Sequence, residues 1–290
     1  MNFGATIKKI RKDKNLTQKE LSDGILTRSH LSQIETNNYF PSYDKFFLLL
    51  DRLNVVFEEF LFIQNDQKMQ FKQQIRSKIS EAANLNDTEK LKNLAITAKD
   101  LHEKTEDITY YHYMLICKAL ISYNMTHTVN DEMIKFVNPI KEYLFKMDNW
   151  YLYELKLFNN IIYSLTVEEA LLFSRTSLKR LDNFQYFMEF QHTEQHIYLN
   201  LSTLCMEYED FEAAKYFAEI AIEKAKKYTL VYEKICSEMN NAIARIKLGE
   251  GDKAYEVIKK NMLIINYLEF ENLHKHFSKF LKKFKIEVDV

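Results

Sequence analysis

Glycine and proline are nearly missing, with 4 Gly and 2 Pro in 290 residues against usual shares of roughly 7% and 5%. Folds rich in β-turns need both residues at their reversals. Their scarcity argues against a sandwich or barrel and predicts an all-α chain. Cysteine is sparse too: Cys117, Cys205 and Cys236 are odd in number and far apart, which excludes a disulfide framework and fits free thiols in a reducing compartment. No apolar run approaches the ~18 residues that span a bilayer, and the opening "MNFGATIKKIRKDK" lacks the apolar segment of a secretory signal. A cytoplasmic protein with no membrane partner is expected. The chain also lacks a glycine-rich phosphate loop and a nucleophile elbow, so neither an enzyme nor a cofactor is indicated. The nearest approach to a metal motif is the run from His192 to His196. It puts Glu194 two residues after the first histidine, where a zincin needs the glutamate directly after it, so no metal is expected either.

What the chain does have is ample apolar content, 47% hydrophobic residues, enough to bury a sizeable core. Its net charge of −1 hides an uneven distribution: residues 1–65 carry 9 Lys and Arg against 8 Asp and Glu, the remainder 31 against 33. Lys8, Lys9, Arg11, Lys12 and Lys14, offset only by Asp13, gather positive charge on one short segment. Such a cluster either faces phosphates or is simply a solvated helix face.

The stretch "LTQKELSDGILTRSHLSQIE", residues 16–35, contains two helix starts. Thr17 is placed to cap the first, with Glu20 reaching back from the third helical position and Leu16 meeting Leu21 as a staple. Thr27 can cap the second while Leu26 packs on Leu31, although His30 stands where the reciprocal acid of a full capping box would be. Leu21, Ile25, Leu31 and Ile34 fall on inward faces. Ser29, His30, Ser32 and Gln33 are then left outward, with Arg28 at the first turn. Small hydrogen-bonding residues at the N-terminal end of a second, closely following helix match a recognition helix in a DNA major groove.

These residues resemble the Xre-type helix-turn-helix, a lambda-repressor-like module of five helices. Residues 3–62 present its pattern in order, as "LTQKEL", "LSQIE", Pro41, "FFLLLDRLNV" and "FEEFL". Asn37 and Asn38 stand where a glycine is usual after the recognition helix, and asparagine tolerates left-handed backbone better than most residues. The segment from Leu21 to Ile34 is one residue shorter than in typical repressors, a shortening that resembles the Rgg group of regulators. The resemblance implies that Gln18, at the start of the second helix, meets a phosphate. It also makes Arg28, Ser29 and Gln33 the residues that meet DNA, with His30 and Arg11 as further contacts.

Beyond residue 62, "IQNDQK" is a polar break. The expected division is a DNA-binding domain over 1–65 and a helical repeat domain over 66–290. "NLSTLCMEYEDFEAAKYFAEIAIEKA", residues 200–225, resembles a tetratricopeptide unit, with Asp210 and Phe211 at its turn and Ala214, Phe217 and Ala221 at close-packing positions. A degenerate copy follows, with Gly249 and Gly251 at the turn and Ala254 in the place of Ala214. A weaker unit lies upstream, and the region reads as a tetratricopeptide-like α-solenoid. Overlaying the units aligns Asn160, Asn200 and Asn240, with Asn241 as an alternative to the last. In tetratricopeptide helices this position faces the concave groove, where amide side chains can grip the backbone of an extended peptide. Lys156, Tyr163, His196, Leu199, Thr203 and Met206 are expected to line the same groove. Its largely apolar wall suits a short hydrophobic peptide, and Lys156 can hold a terminal carboxylate.

Both halves together resemble the Rgg family of intracellular peptide-pheromone receptors, with "YLFKMDNWYLYELKLFNN", residues 143–160, the most family-like stretch of the repeats. The resemblance implies a homodimeric transcription regulator on paired sites of double-stranded promoter DNA, controlled by a short signalling peptide in quorum sensing. Two other readings stay open: a phage- or plasmid-type repressor with no peptide, and a peptide-binding adaptor with no DNA target. Replacing Gln33 with Ala is expected to weaken operator binding by ~1–3 kcal/mol and leave non-specific binding nearly unchanged. Equal losses on operator and random DNA would remove Gln33 from base reading.

Overall fold

Asparagine ends helices here where glycine commonly does. Asn15, Asn37, Asn54 and Asn86 take left-handed backbone (φ 57°, 60°, 49° and 53°), a conformation that costs asparagine less than other side-chain-bearing residues. The computed structural model describes residues 1–126, 128–181 and 187–288, and every regular element among them is helical. In order these are α1 Phe3–Asp13, α2 Gln18–Ser22, α3 Arg28–Glu35, α4 Tyr43–Leu53, α5 Phe57–Gln64, α6 Phe71–Asn84, α7 Thr88–Thr105 and α8 Ile108–Thr126. There follow α9 Asp131–Phe145, α10 Leu152–Ile161, a 3-10 turn Ile162–Ser164, α11 Val167–Leu181, α12 Met188–Glu207, α13 Phe211–Tyr228, α14 Val231–Lys247, α15 Asp252–Tyr267 and α16 Glu271–Lys283. Two compact units divide the chain, Met1–Lys90 and Leu91–Val290. The first therefore continues past residue 65 to take in α6.

In the first unit, α1 to α5 enclose a core of Ile7, Ile10, Leu21, Leu31, Ile34, Phe46, Leu49, Leu53 and Phe60. Burial of each such side chain contributes roughly 1.5–3 kcal/mol. The Phe3 ring meets those of Phe46 and Phe60 at 5.1 and 5.5 Å. Both caps expected from the sequence are present. The Glu20 N–H donates to Thr17 Oγ1 at 3.2 Å, the Thr17 N–H donates to Glu20 Oε2 at 2.7 Å, and the His30 N–H donates to Thr27 Oγ1 at 3.2 Å. One of the few glycines is needed for close packing. A Cβ on Gly4 would lie 1.9 Å from the Ile34 carbonyl oxygen, so α1 can approach α3 only without a side chain there. The Gly4 N–H donates to Asn37 Oδ1 at 2.8 Å.

In the second unit, α13 packs between α12 and α14, and α10 and α14 each also touch α12. The α12/α13 contact is made by small residues. Ala214, Ala218, Ala221 and Ala225 are buried, and Ser202 Oγ donates to the Ala214 carbonyl at 2.8 Å. Asp210 caps α13 by accepting the Ala213 N–H at 3.0 Å. Trp150 is fully buried against Phe158 and Phe173, with ring centroids 5.5 and 5.6 Å away. Cys117, Cys205 and Cys236 are buried, and burial pushes each thiol up to about 12, leaving no reactive thiolate near neutral pH.

A polar knot ties α8, α9 and α10. His112 Nδ1 lies 2.7 Å from Tyr153 Oη, Tyr143 Oη donates to Glu154 Oε1 at 2.9 Å, and the other Glu154 oxygen accepts the Tyr151 N–H at 2.9 Å. Burial lowers His112 to about 4, against about 6.5 in an unfolded chain. Between these values the unfolded chain takes up the proton first, so stability rises with pH from 4 to 6.5 and is lost as pH falls through that window. Denaturant titrations at pH 7 and 4.5 should show wild type losing up to about 3 kcal/mol more than His112→Phe, which cannot titrate. Identical pH dependence in the two proteins would show that His112 is not held neutral.

Candidate DNA-reading and ligand-groove surfaces

The start of α2 and the end of α3 are held by one buried ion pair. Arg11, on α1, donates from Nη2 to Glu35 Oε2 at 2.9 Å and from Nε to Glu35 Oε1, while its Nη1 donates to the Leu16 carbonyl at 2.7 Å. The Arg11 and Glu35 side chains are 9% and 1% exposed, so the pair is withdrawn from water. The Glu35 hydrogen bond raises the Arg11 guanidinium above its usual range. Arg11 therefore departs from the exposed basic face on which the sequence placed it: the face keeps Lys8, Lys9, Lys12 and Lys14, and Arg11 supports it from within. Gln18 is half-buried and donates from Nε2 to Glu35 Oε2 at 2.9 Å, so the pair that joins α1 to α3 also fixes the side chain that opens α2. Arg52 closes the other end of α2 by donating to the carbonyls of Glu20 and Leu21 at 3.4 Å and to that of Asp23. With Leu31 and Ile34 buried beneath, Arg28, Ser29, His30 and Gln33 are all exposed along α3. The sequence reading missed Tyr39, whose ring stacks on His30. The link joins residues on a helix and a loop, where no helical spacing reveals it.

In the second unit α12 has two distinct sides. Toward α13 it sends Gln195, which donates to the Ala221 carbonyl at 3.2 Å and also reaches Ser237 Oγ of α14 at 3.1 Å, and Glu194, held by Lys224 and by Tyr228 Oη at 2.9 Å. Toward α10 and α14 it sends a ladder of polar side chains. Lys156 pairs with Glu189, and Asn200 Nδ2 donates to Asn159 Oδ1 at 3.0 Å. Asn240 Nδ2 donates to Thr203 Oγ1 at 2.9 Å. His192 Nδ1 and His196 Nε2 lie 3.7 and 3.3 Å from the same oxygen of Glu233, and the His196 contact holds that carboxyl below its usual range. Among the described residues no cluster of three His, Cys, Asp or Glu side chains suits a metal ion.

This geometry places each expected groove residue. Asn200, Thr203, His196 and Leu199 are half-buried on the ladder side. Asn160 is exposed and Asn159, one residue earlier, meets Asn200 instead. Tyr163 is half-buried in the 3-10 turn with its ring 6.1 Å from Tyr123, and burial raises its phenol. Three further positions depart from the expectation. Asn240 is 2% exposed and committed to Thr203, Met206 is fully buried, and Asn241 turns to α13, where its amide lies 3.5 Å from the Lys215 carbonyl. Asn241 follows Asn240 by one residue, a step of about 100° around a helix, which turns its amide away from Thr203 and toward α13.

A capped helix-turn-helix followed by stacked helical repeats defines a class of regulator. The family model for the C-terminal domain of the HTH-type transcriptional regulator Rgg matches residues 94–279, and a helix-turn-helix domain matches residues 4–67. The chain belongs to the Rgg family of transcriptional regulators. It is similar to a solved Listeria monocytogenes EGD-e protein assigned as a transcriptional regulator, at 24% identity over 98% of this chain and 99% of that one, with a TM-score of 0.83. It is similar also to the SHP pheromone receptor Rgg2 of Streptococcus dysgalactiae, at 18% identity over 97% and 99% of the two chains and a TM-score of 0.74. PlcR of Bacillus thuringiensis, solved with the peptide PapR7 and DNA, matches at 17% identity over 95% and 98%, with a TM-score of 0.69. At these identities the likeness is one of fold.

Arg11→Met should destabilise the first unit by about 3–5 kcal/mol because it strands a buried Glu35 carboxylate, and Arg11→Met with Glu35→Leu should recover much of that loss. Urea denaturation of both variants checks this. A single variant as stable as wild type would show that the pair is not buried.

Proposed function

We propose that the chain is a cytoplasmic, homodimeric transcription regulator whose first 65 residues read promoter DNA and whose remaining residues bind a short, mostly apolar signalling peptide. The observation that carries this reading is the joint presence, in an Rgg chain, of an intact recognition surface and a polar ladder along α10, α12 and α14. Gln18 meets a phosphate, Arg28, Ser29, His30 and Gln33 meet bases or adjacent phosphates, and Arg11 acts through Glu35. A dimer doubles the few contacts that one such module can make on paired half-sites. For the peptide, Asn200, braced by Asn159, supplies backbone hydrogen bonds, the exposed Asn160 a further amide beside it, Lys156 a positive charge, and His196, Thr203 and Tyr163 the surrounding wall. Asn240 fixes Thr203 from beneath. Absence of a helix long and apolar enough to cross a membrane among the described residues is compatible with the cytoplasm. Control of DNA affinity by the peptide needs only ~1–3 kcal/mol of coupling between the two sites.

Fluorescence anisotropy of the purified protein on its own promoter fragment, with and without synthetic peptides encoded beside its gene, tests the reading. The expected result is a peptide that shifts DNA affinity, with the shift abolished in Asn200→Ala. DNA binding indifferent to every peptide supports a ligand-free repressor instead, and absence of specific DNA binding supports an adaptor.

A further inference from the structure

The loop after the recognition helix is held more firmly than a surface connection needs. Asn37 reverses the chain in left-handed backbone and accepts the Gly4 N–H through its side chain. The Asn38 N–H donates to the Gln33 carbonyl at 2.9 Å and its amide to Thr36 Oγ1 at 3.1 Å. On the far side Phe40 packs its ring on Phe3 at 5.6 Å, and Pro41 restricts Phe40 to extended backbone. Tyr39 sits between these two anchors, is 46% exposed, and stacks on His30 with centroids 5.7 Å apart and planes inclined by only 19°. The ring of a loop residue thus lies over the third residue of α3, beside Gln33 one turn further on.

We propose that Tyr39 is a positioning residue for DNA reading: by stacking on the face of the His30 imidazole it fixes that ring for hydrogen bonding to a base edge in the major groove. The inference rests on the DNA-binding part of the proposed function and is independent of any peptide. Stacking occupies the ring face and leaves the edge, with its N–H donor, for the acceptors that purines present at N7 in the major groove. An exposed histidine on a helix otherwise samples several rotamers, and ordering it on DNA lowers affinity. A ring already held by its neighbour avoids that loss.

The test is selection from a pool of DNA duplexes randomised over about two helical turns, using the full-length wild type, His30→Ala, Tyr39→Ala, Tyr39→Leu and Tyr39→Phe. The wild type is expected to enrich a defined sequence. His30→Ala and both non-aromatic Tyr39 variants should lose preference at the same base position and bind the enriched duplex about tenfold more weakly, the scale of one aromatic contact. Tyr39→Phe keeps the stack and should retain both sequence and affinity. Tyr39→Leu that selects the wild-type sequence at wild-type affinity overturns the proposal. So does Tyr39→Phe as defective as Tyr39→Ala, because the hydroxyl and not the stack would then act. A wild type that enriches no sequence overturns both this proposal and the DNA reading beneath it, whereas an unresponsive peptide groove leaves it standing.

Discussion

The first unit depends on a charge that cannot be left alone. Glu35 lies at the end of α3 with its carboxylate almost wholly withdrawn from water, a placement worth several kcal/mol against folding unless it is answered. Arg11 answers it in two-pronged fashion from α1, and Gln18 adds a third hydrogen bond from α2. Because the fork of a guanidinium matches a carboxylate only in a narrow range of orientations, the pairing restricts how α1, α2 and α3 meet. The apolar core supplies the energy that closes the unit, but apolar contact is non-directional. Direction comes from the ion pair, from the missing Cβ of Gly4, and from Arg52 at the end of α2.

The second unit solves a different problem. A helix such as α12, touched by α10, α13 and α14, needs one side smooth enough for close packing and another able to interact with something else. Alanines of α13 and the serine hydroxyl of Ser202 serve the first purpose. The second side carries polar pairs that bridge neighbouring repeats, so the Asn200 and Asn240 amides and the His192 and His196 imidazoles already have partners across a helix boundary. A peptide bound there as proposed exchanges hydrogen bonds more than it adds them, which leaves selectivity to the shape and apolar content of the surrounding wall.

Features set by neighbouring residues were legible in the sequence: the Thr17–Glu20 box, the Thr27 cap, the Asn37 reversal, the turn at Asp210 and the alanine side of α13 all follow from local chemistry. Features set by partners far along the chain were not. Arg11 read as one more surface cation because Glu35, twenty-four residues away, is invisible to a charge count. The asparagine column drifted for a related reason. Overlaying repeats fixes spacing only to a residue or so, α10 gives way to a 3-10 turn just after Asn160, and a shift of one residue turns a helical side chain by about 100°. Asn159 rather than Asn160 thus meets Asn200. Tyr39 escaped notice because a loop carries no periodicity to announce where its side chains go.

The near absence of glycine leaves a mark on the energetics as well as on the fold class. Left-handed backbone is adopted not only by asparagines but by Glu106, Glu209, Thr229, Glu269 and Lys285, residues whose Cβ makes that conformation costly by roughly 1–2 kcal/mol each. Such strain is tolerated because the helices on either side dictate the turn. A protein built this way sits below its attainable stability, with the shortfall lodged in its connections and not in its core. It has room to gain rigidity by changes that touch neither reading surface nor groove.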